Sequence, residues 1–274
     1  MRRIRSCAWL AILTLLPFGC GPSTSETPKI RVAAASDLQA ALPILAIAFR
    51  QAHEIEVVPV YGASGQLAEQ IRQGAPFDVF LSANQSFIQR LADDGQVRPD
   101  SVQPYARGSL VFAVNKLSAI KLNGLDDLKR PEIHKIAIAN PVTAPYGVAA
   151  KQALERGKLW DDLQPKIVPA ESVRQALQMV QTGNAEVALV GRSIAEVPEV
   201  VIVTLPPDVC DPIVQYLGIV ASSKQSDDAR AFAEFVLGDV GQGILFQLGF
   251  RGVKPPRPEK APARPGADKL VDTP

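Results

Sequence analysis

"VAAASDLQAAL" (residues 32–42) is the stretch whose reading decides the fold. An apolar, strand-like run ends at Ser36 and a helical pattern begins at once, with Gln39 at the S-x-x-Q spacing of a capping box. Such a junction presents unpaired backbone N–H groups and a hydroxyl at the carboxyl end of a strand. The same junction recurs three times. "YGASGQLAEQI" (61–71) sets Ser64 and Gly65 between a strand and a helix, and "NPVTAPYGVAAKQAL" (140–154) sets Pro145, Tyr146 and Gly147 at a helix start. "PAESVRQAL" (169–177) repeats the capping-box spacing with Ser172 and Gln175, leaving Val173 as the first helical residue. Helix N-termini carry free donors and a partial positive charge, and ligands of open α/β sheets sit beyond the carboxyl ends of the strands. A serine is also among the commonest ways to open any helix, so one junction alone reads as structure. Four of them facing a shared cleft suit a small anion held without a charged side chain, since Ser36, Ser64, Tyr146 and Val173 are all uncharged.

Outward from these junctions the chain alternates short apolar runs with amphipathic ones. Strands are expected in "KIRVAAAS", "IEVVPVYGAS", "FDVFLSA", "SLVFAVNK", "KIAIAN", "PKIVPA", "EVALVGRS" and "PIVQYLGIVAS". Helices are expected over 37–52 (broken or restarted at Pro43), 65–73, 84–94 with Asn84 as N-cap, 147–156, 173–182, 227–237 and 240–248, with a short one in "GLDDLKRPEI". This rhythm predicts parallel α/β sheets flanked by helices. "SLVFAVNK" and "QYLGIVAS" each fall where one α/β unit ends and another begins. The prediction is therefore two lobes, residues 29–111 plus 213–254 and residues 112–212, joined by two crossing segments.

The ends read differently. Arg2, Arg3 and Arg5 precede "CAWLAILTLLPF", an apolar run too short to span a bilayer, and "GCGPSTSETPK" follows it. Residues 1–28 thus read as a secretory signal and linker. Cys20, after Gly19, stands where a bacterial lipoprotein is cleaved and lipidated, although Pro17 and Phe18 depart from the usual residues. Residues 255–274 are rich in Pro and charge and read as a disordered tail. Only Cys20 and Cys210 remain after signal removal, so neither a disulfide framework nor a zinc spacing is present, and Cys210 is assigned to packing. With 29 basic and 28 acidic residues, bulk charge attracts neither nucleic acid nor an anionic surface.

"AAASDLQAAL", "YGASGQLAEQI", "GAPFDVFLSANQ", "APYGVAAKQAL", "PAESVRQAL" and the final "ILFQLGF", in this order over residues 29–252, resemble the periplasmic molybdate-binding proteins of ABC transporters. The resemblance implies a two-lobed periplasmic binding-protein fold that closes on a tetrahedral oxyanion, molybdate or tungstate, with no cofactor. It implies that Ser36 and Ser64 give hydroxyl and backbone N–H groups, and that Tyr146 and Val173 give backbone N–H groups from the second lobe. It also implies delivery to a membrane permease by a monomer in the periplasm, tethered through Cys20. Two positions depart from the family. Gly191 stands where the best-known members place a tyrosine whose hydroxyl reaches the oxyanion, though other branches also lack it. Asn84 stands where aspartate is usual, and can still cap its helix.

Other functions are weighed against this. An enzyme would need a base beside Ser36 or Ser64, and neither serine lies in a G-x-S-x-G elbow; His53 and His134 sit in polar contexts elsewhere. The same fold could carry sulfate, phosphate or a phosphonate, and an envelope scaffold would need no ligand at all.

Overall fold

The structure is a computed structural model that describes residues 27–253; the signal and lipidation readings at residues 1–26 and the tail reading from 254 onward lie outside them. The chain runs β1 (Lys29–Ala35), α1 (Leu42–His53), β2 (Glu56–Gly62), α2 (Ser64–Arg72), β3 (Val79–Ser82), α3 (Gln85–Asp93) and β4 (Gln103–Gly108). It crosses at Ser109 into β5 (Leu110–Asn115), β6 (Ile136–Ala139), α4 (Pro145–Arg156), α5 (Trp160–Leu163), β7 (Ile167–Ala170), α6 (Val173–Gln181), β8 (Val187–Gly191) and β9 (Val200–Thr204). It then returns through β10 (Ile213–Ile219) to α7 (Ser226–Leu237) and α8 (Asp239–Gln247).

Two five-stranded sheets result, ordered β2-β1-β3-β10-β4 and β7-β6-β8-β5-β9. In each, three strands run parallel, with Ala35 opposite Gly62 in one and Ala139 opposite Ala170 in the other. The fourth strand is antiparallel to both its neighbours. The two lobes therefore share one architecture, although the sequence shows no repeat. The parallel strands are buried on both faces and read as nearly unbroken apolar runs, as in "VFLS", "IAIA" and "VALVG". One face of the first sheet packs on α1, α7 and α8 through Leu42, Leu45, Phe49, Phe232, Val236 and Leu245. The other face packs on α2 and α3 through Leu67, Ile71, Ile88 and Leu91. The core of the second sheet reaches across to Ala35, Ala63 and Ala83 at the strand ends of the first.

Local chemistry sets the helix starts. Pro43 restarts the helix, because proline in the first turn gives up an N–H that has no partner there anyway. Asn84 caps α3, its Oδ1 accepting from Ser86 N–H at 2.6 Å. Ser172 caps α6 by accepting from Gln175 N–H at 3.2 Å, while Gln175 reaches back to Glu171 N–H at 2.5 Å. At Ser36 the capping-box expectation fails. Ser36 opens a three-residue 3-10 turn (Ser36–Leu38) with Ala35 in the cap position, and its hydroxyl caps nothing. Two strands, β4 and β9, were not expected, and Leu110 and Val111 already pair with β8, so the first crossing precedes residue 111.

Candidate functional site

The carboxyl end of β1 leads directly into Ser36, that of β2 through Ala63 into Ser64, that of β6 through the turn 140–144 into Pro145–Tyr146, and that of β7 through Glu171 and Ser172 into Val173. These four junctions converge: Ser36, Ser64, Tyr146 and Val173 all border one small pocket between the lobes. All four are buried. Pockets for drug-sized ligands run to ~300–1,000 Å³ and this one is far smaller, so only a small solute can enter it. The first-turn N–H groups of α2, α4 and α6 lack intrahelical acceptors, and the dipoles of these three helices favour negative charge where they meet. Ser36 sits on a turn too short to add a dipole, so its contribution is an N–H and a hydroxyl. The Ser64 hydroxyl accepts from Ala83 N–H at 3.0 Å, which orients the oxygen and leaves its own proton to donate.

The two lobes touch around this pocket. Gly65 N–H donates to the Thr143 carbonyl at 2.9 Å, and a Cβ on Gly65 would lie 2.9 Å from that same oxygen. Glycine is what allows this approach. Gly147 plays a different part: a Cβ there would stand 2.2 Å from the Ala139 carbonyl, so it lets α4 pack onto the end of β6. Ser193 Oγ donates to the Asp37 carbonyl at 2.9 Å, a further bond between lobes.

Gly191 has a clear reason. A Cβ there would meet the Tyr146 ring at 2.9–3.0 Å and its hydroxyl at 3.1 Å, and one on Gly108 would fall 2.0 Å from the Tyr146 hydroxyl. The Tyr146 side chain thus fills the space left by two glycines at the ends of β4 and β8. Its hydroxyl enters a buried polar group that the sequence did not disclose. Tyr105 hydroxyl donates to Gln215 Oε1 at 2.5 Å, and Gln215 Nε2 donates to Asp37 Oδ2, with the Tyr146 hydroxyl 3.5 Å from Nε2. Asp37 is completely buried and borders the pocket, and its Oδ1 has no partner. Burial raises its pKa from 3.8 to about 6, against the opposing effect of hydrogen bonds from Gln215 and Tyr146. Burial, reinforced by the Asp37 charge, pushes both tyrosine hydroxyls well above their ordinary range, so they remain neutral donors. In the sequence Asp37 looks like an ordinary first-turn acid; the apolar residues on both sides of "SD" were the available signal of burial.

Nothing here performs nucleophilic chemistry. His53 stacks on Phe49 at 4.6 Å at the far end of α1, and His134 is exposed, with Nδ1 3.9 Å from Glu186. Cys210 is buried in the second lobe's core, where desolvation raises its thiol pKa. Among the described residues no group of three or more His, Cys, Asp or Glu is placed to hold a metal ion, and no helix is long and apolar enough to cross a membrane. A larger groove of about 1300 Å³, lined by Gln39, Arg174, Arg192 and Phe246, is solvent-open and includes none of the four converging residues.

Two lobes, two crossing strands and a pocket at the helix ends without a cationic side chain define a binding protein that closes over a small solute. Residues 30–251 match the family model described as bacterial extracellular solute-binding protein, and the chain belongs to that family. It is 32% identical over 252 residues (88% of this chain, 96% of the relative) to the putative ABC transporter substrate-binding lipoprotein YvgL of Bacillus subtilis. It is 30% identical over 236 residues (84% of this chain, 91% of the relative) to the molybdate-binding protein ModA of Escherichia coli. Among solved structures, the periplasmic molybdate-binding protein of Azotobacter vinelandii superposes with a TM-score of 0.75 at 31% identity, covering 81% of this chain and 98% of that one. Proteins of this family capture solutes and do not transform them.

Proposed function

We propose that the protein captures molybdate or tungstate in the periplasm and presents it, as a monomer, to an ABC permease. The observation that carries the reading is the convergence of Ser36, Ser64, Tyr146 and Val173, two from each lobe, on one small pocket without a cationic side chain. In this reading the Ser36 and Ser64 hydroxyls and the four backbone N–H groups bind the oxyanion. The ModA relatives from several bacteria, named as molybdate-binding, support the choice of ligand. Donors fixed on helix ends select by size, because a smaller tetrahedral dianion leaves some of them unpaired. Each buried donor left without a partner costs about 1–3 kcal/mol, so two or three such losses favour the larger oxyanion by several orders of magnitude.

Calorimetry on the protein with molybdate, tungstate, sulfate and phosphate tests this. Tight binding of the first two with much weaker sulfate binding is expected; equal affinity for sulfate and molybdate would refute the size argument, and binding of phosphate alone would refute the ligand. The lipid anchor at Cys20 has its own readout. Cys20→Ser should move the protein from the membrane to the soluble fraction, and an unmodified native N-terminus would refute the anchor.

A further inference from the structure

The ligand-binding reading leaves one group at the pocket unused, the Asp37 carboxyl. A carboxylate is an unwelcome neighbour for a dianion. Asp37 adjoins Ser36, borders the same pocket, is completely buried, and has one oxygen without any hydrogen-bond partner. Among the described residues no cation lines the pocket beside it. Facing it are Tyr105 from β4, Tyr146 from α4, Gln215 from β10, and Ser193 from the turn after β8, whose hydroxyl bonds the Asp37 backbone carbonyl. Of the charged residues on the flanking elements, Arg192 pairs with Glu196 at 2.5 Å, and Arg174 on α6 lines the larger open groove. Two of the groups around Asp37, Tyr146 and Ser193, belong to the second lobe, so separation of the lobes removes part of its cover.

From this arrangement we propose that Asp37 takes up a proton as the lobes close on the oxyanion, making capture and release proton-linked, with Tyr146 and Gln215 as positioning residues that hold the acid. The proton comes from solvent or buffer, goes onto the carboxylate, and returns when the lobes part. The proposal rests on the oxyanion reading above. The direction follows from linkage. The closed protein binds this proton more tightly than a solvated carboxylate does, since burial raises the pKa from 3.8 to about 6. Closure is therefore most favourable at low pH and loses that advantage as pH rises through about 6. A bound dianion raises the carboxyl further, extending proton uptake toward neutrality.

The experiment measures molybdate affinity by calorimetry from pH 5.5 to 7.5, using dilute molybdate so that it stays a dianion, in two buffers of different ionisation enthalpy. Taking the ordinary carboxylate value of 3.8 as the limit for the open protein and about 6 for the closed one, affinity should be up to about fourfold tighter at pH 5.5 than at pH 7.5. The two buffers should report fractional proton uptake per oxyanion. Asp37→Asn, a neutral side chain of the same shape, should abolish both the uptake and the pH dependence. Tyr146→Phe removes a hydroxyl that favours the ionised acid, so its uptake should shift to higher pH; this variant and the unmodified protein serve if Asp37→Asn does not fold. Binding by the unmodified protein without proton uptake and with a flat profile overturns the proposal. So does a folded Asp37→Asn protein that keeps the pH dependence. If the unmodified protein binds none of molybdate, tungstate, sulfate or phosphate at any pH, the ligand reading fails as well, which is a separate result.

Discussion

Replacing Gly65 with alanine separates stability from closure. Gly65 is the second residue of α2, its φ is not positive, and alanine is the better helix former by roughly 0.5–1 kcal/mol in a helix interior. The added Cβ would meet two groups. One is the ring of Phe87 at 3.0 Å, a half-buried side chain that can rotate away. The other is the Thr143 carbonyl of the opposite lobe at 2.9 Å, which is backbone and moves only if the lobes part. Overpacking costs about 1–3 kcal/mol, and losing the Gly65 N–H to Thr143 bond costs about 0.5–1.5 kcal/mol. Together these weaken oxyanion binding by about 10- to 1000-fold, while the melting temperature without ligand stays level or rises. Calorimetry and thermal unfolding on the same samples check both halves. Gly243→Ala is the control, since a Cβ there meets nothing within 4 Å. Binding by Gly65→Ala within twofold of the parent would refute this account of how the lobes meet.

Three further substitutions follow from the site. Ser36→Ala should weaken molybdate binding about 10- to 100-fold, the value of a hydrogen bond to a charged group, with no change in melting temperature, because its hydroxyl caps no helix. Ser64→Ala should weaken binding similarly and also lower stability by about 1–3 kcal/mol, because Ala83 N–H loses its acceptor in a buried position; urea unfolding checks this. Gly147→Ala should be the most disruptive, since its Cβ would overlap the Ala139 carbonyl at 2.2 Å. The expected result is loss of soluble folded protein, and a normally folded variant with normal binding would show that α4 can shift away from β6.

Much of the candidate site was legible because it is built from strand-to-helix junctions. Strand-then-helix junctions are marked by hydrophobic period and by Ser, Pro and Gly, and those marks located all four converging residues. Ser172 shows the pattern working in full, with both hydrogen bonds of its cap region made. Ser36 carries the same spacing, yet the chain turns through a 3-10 segment there and Gln39 N–H goes to the Ser36 carbonyl at 3.4 Å. Spacing cannot report which way the following three residues wind. The missed strands share a cause. β4 ("QPYARG") and β9 ("VVIVT") pair antiparallel with the crossing strands and no helix completes a unit after them, so a reading tuned to β–α alternation passes over them. The Asp37 group was hidden for a different reason: Tyr105, Tyr146 and Gln215 are 41, 69 and 110 residues apart in the pairs that bring them together, and only the tertiary fold makes them neighbours of one carboxyl.

The place of β10 bears on how the chain assembles. It sits between β3 and β4, yet it is made more than a hundred residues after either. A chain emerging from its amino end can finish the second lobe, whose five strands lie within 110–204, while the first still lacks the strand that joins its two halves. Until residues 213–219 arrive, β4 has no neighbour and the face that packs on α7 and α8 stays uncovered. The first lobe, although it holds the chain's amino-terminal strands, is thus the last to be completed.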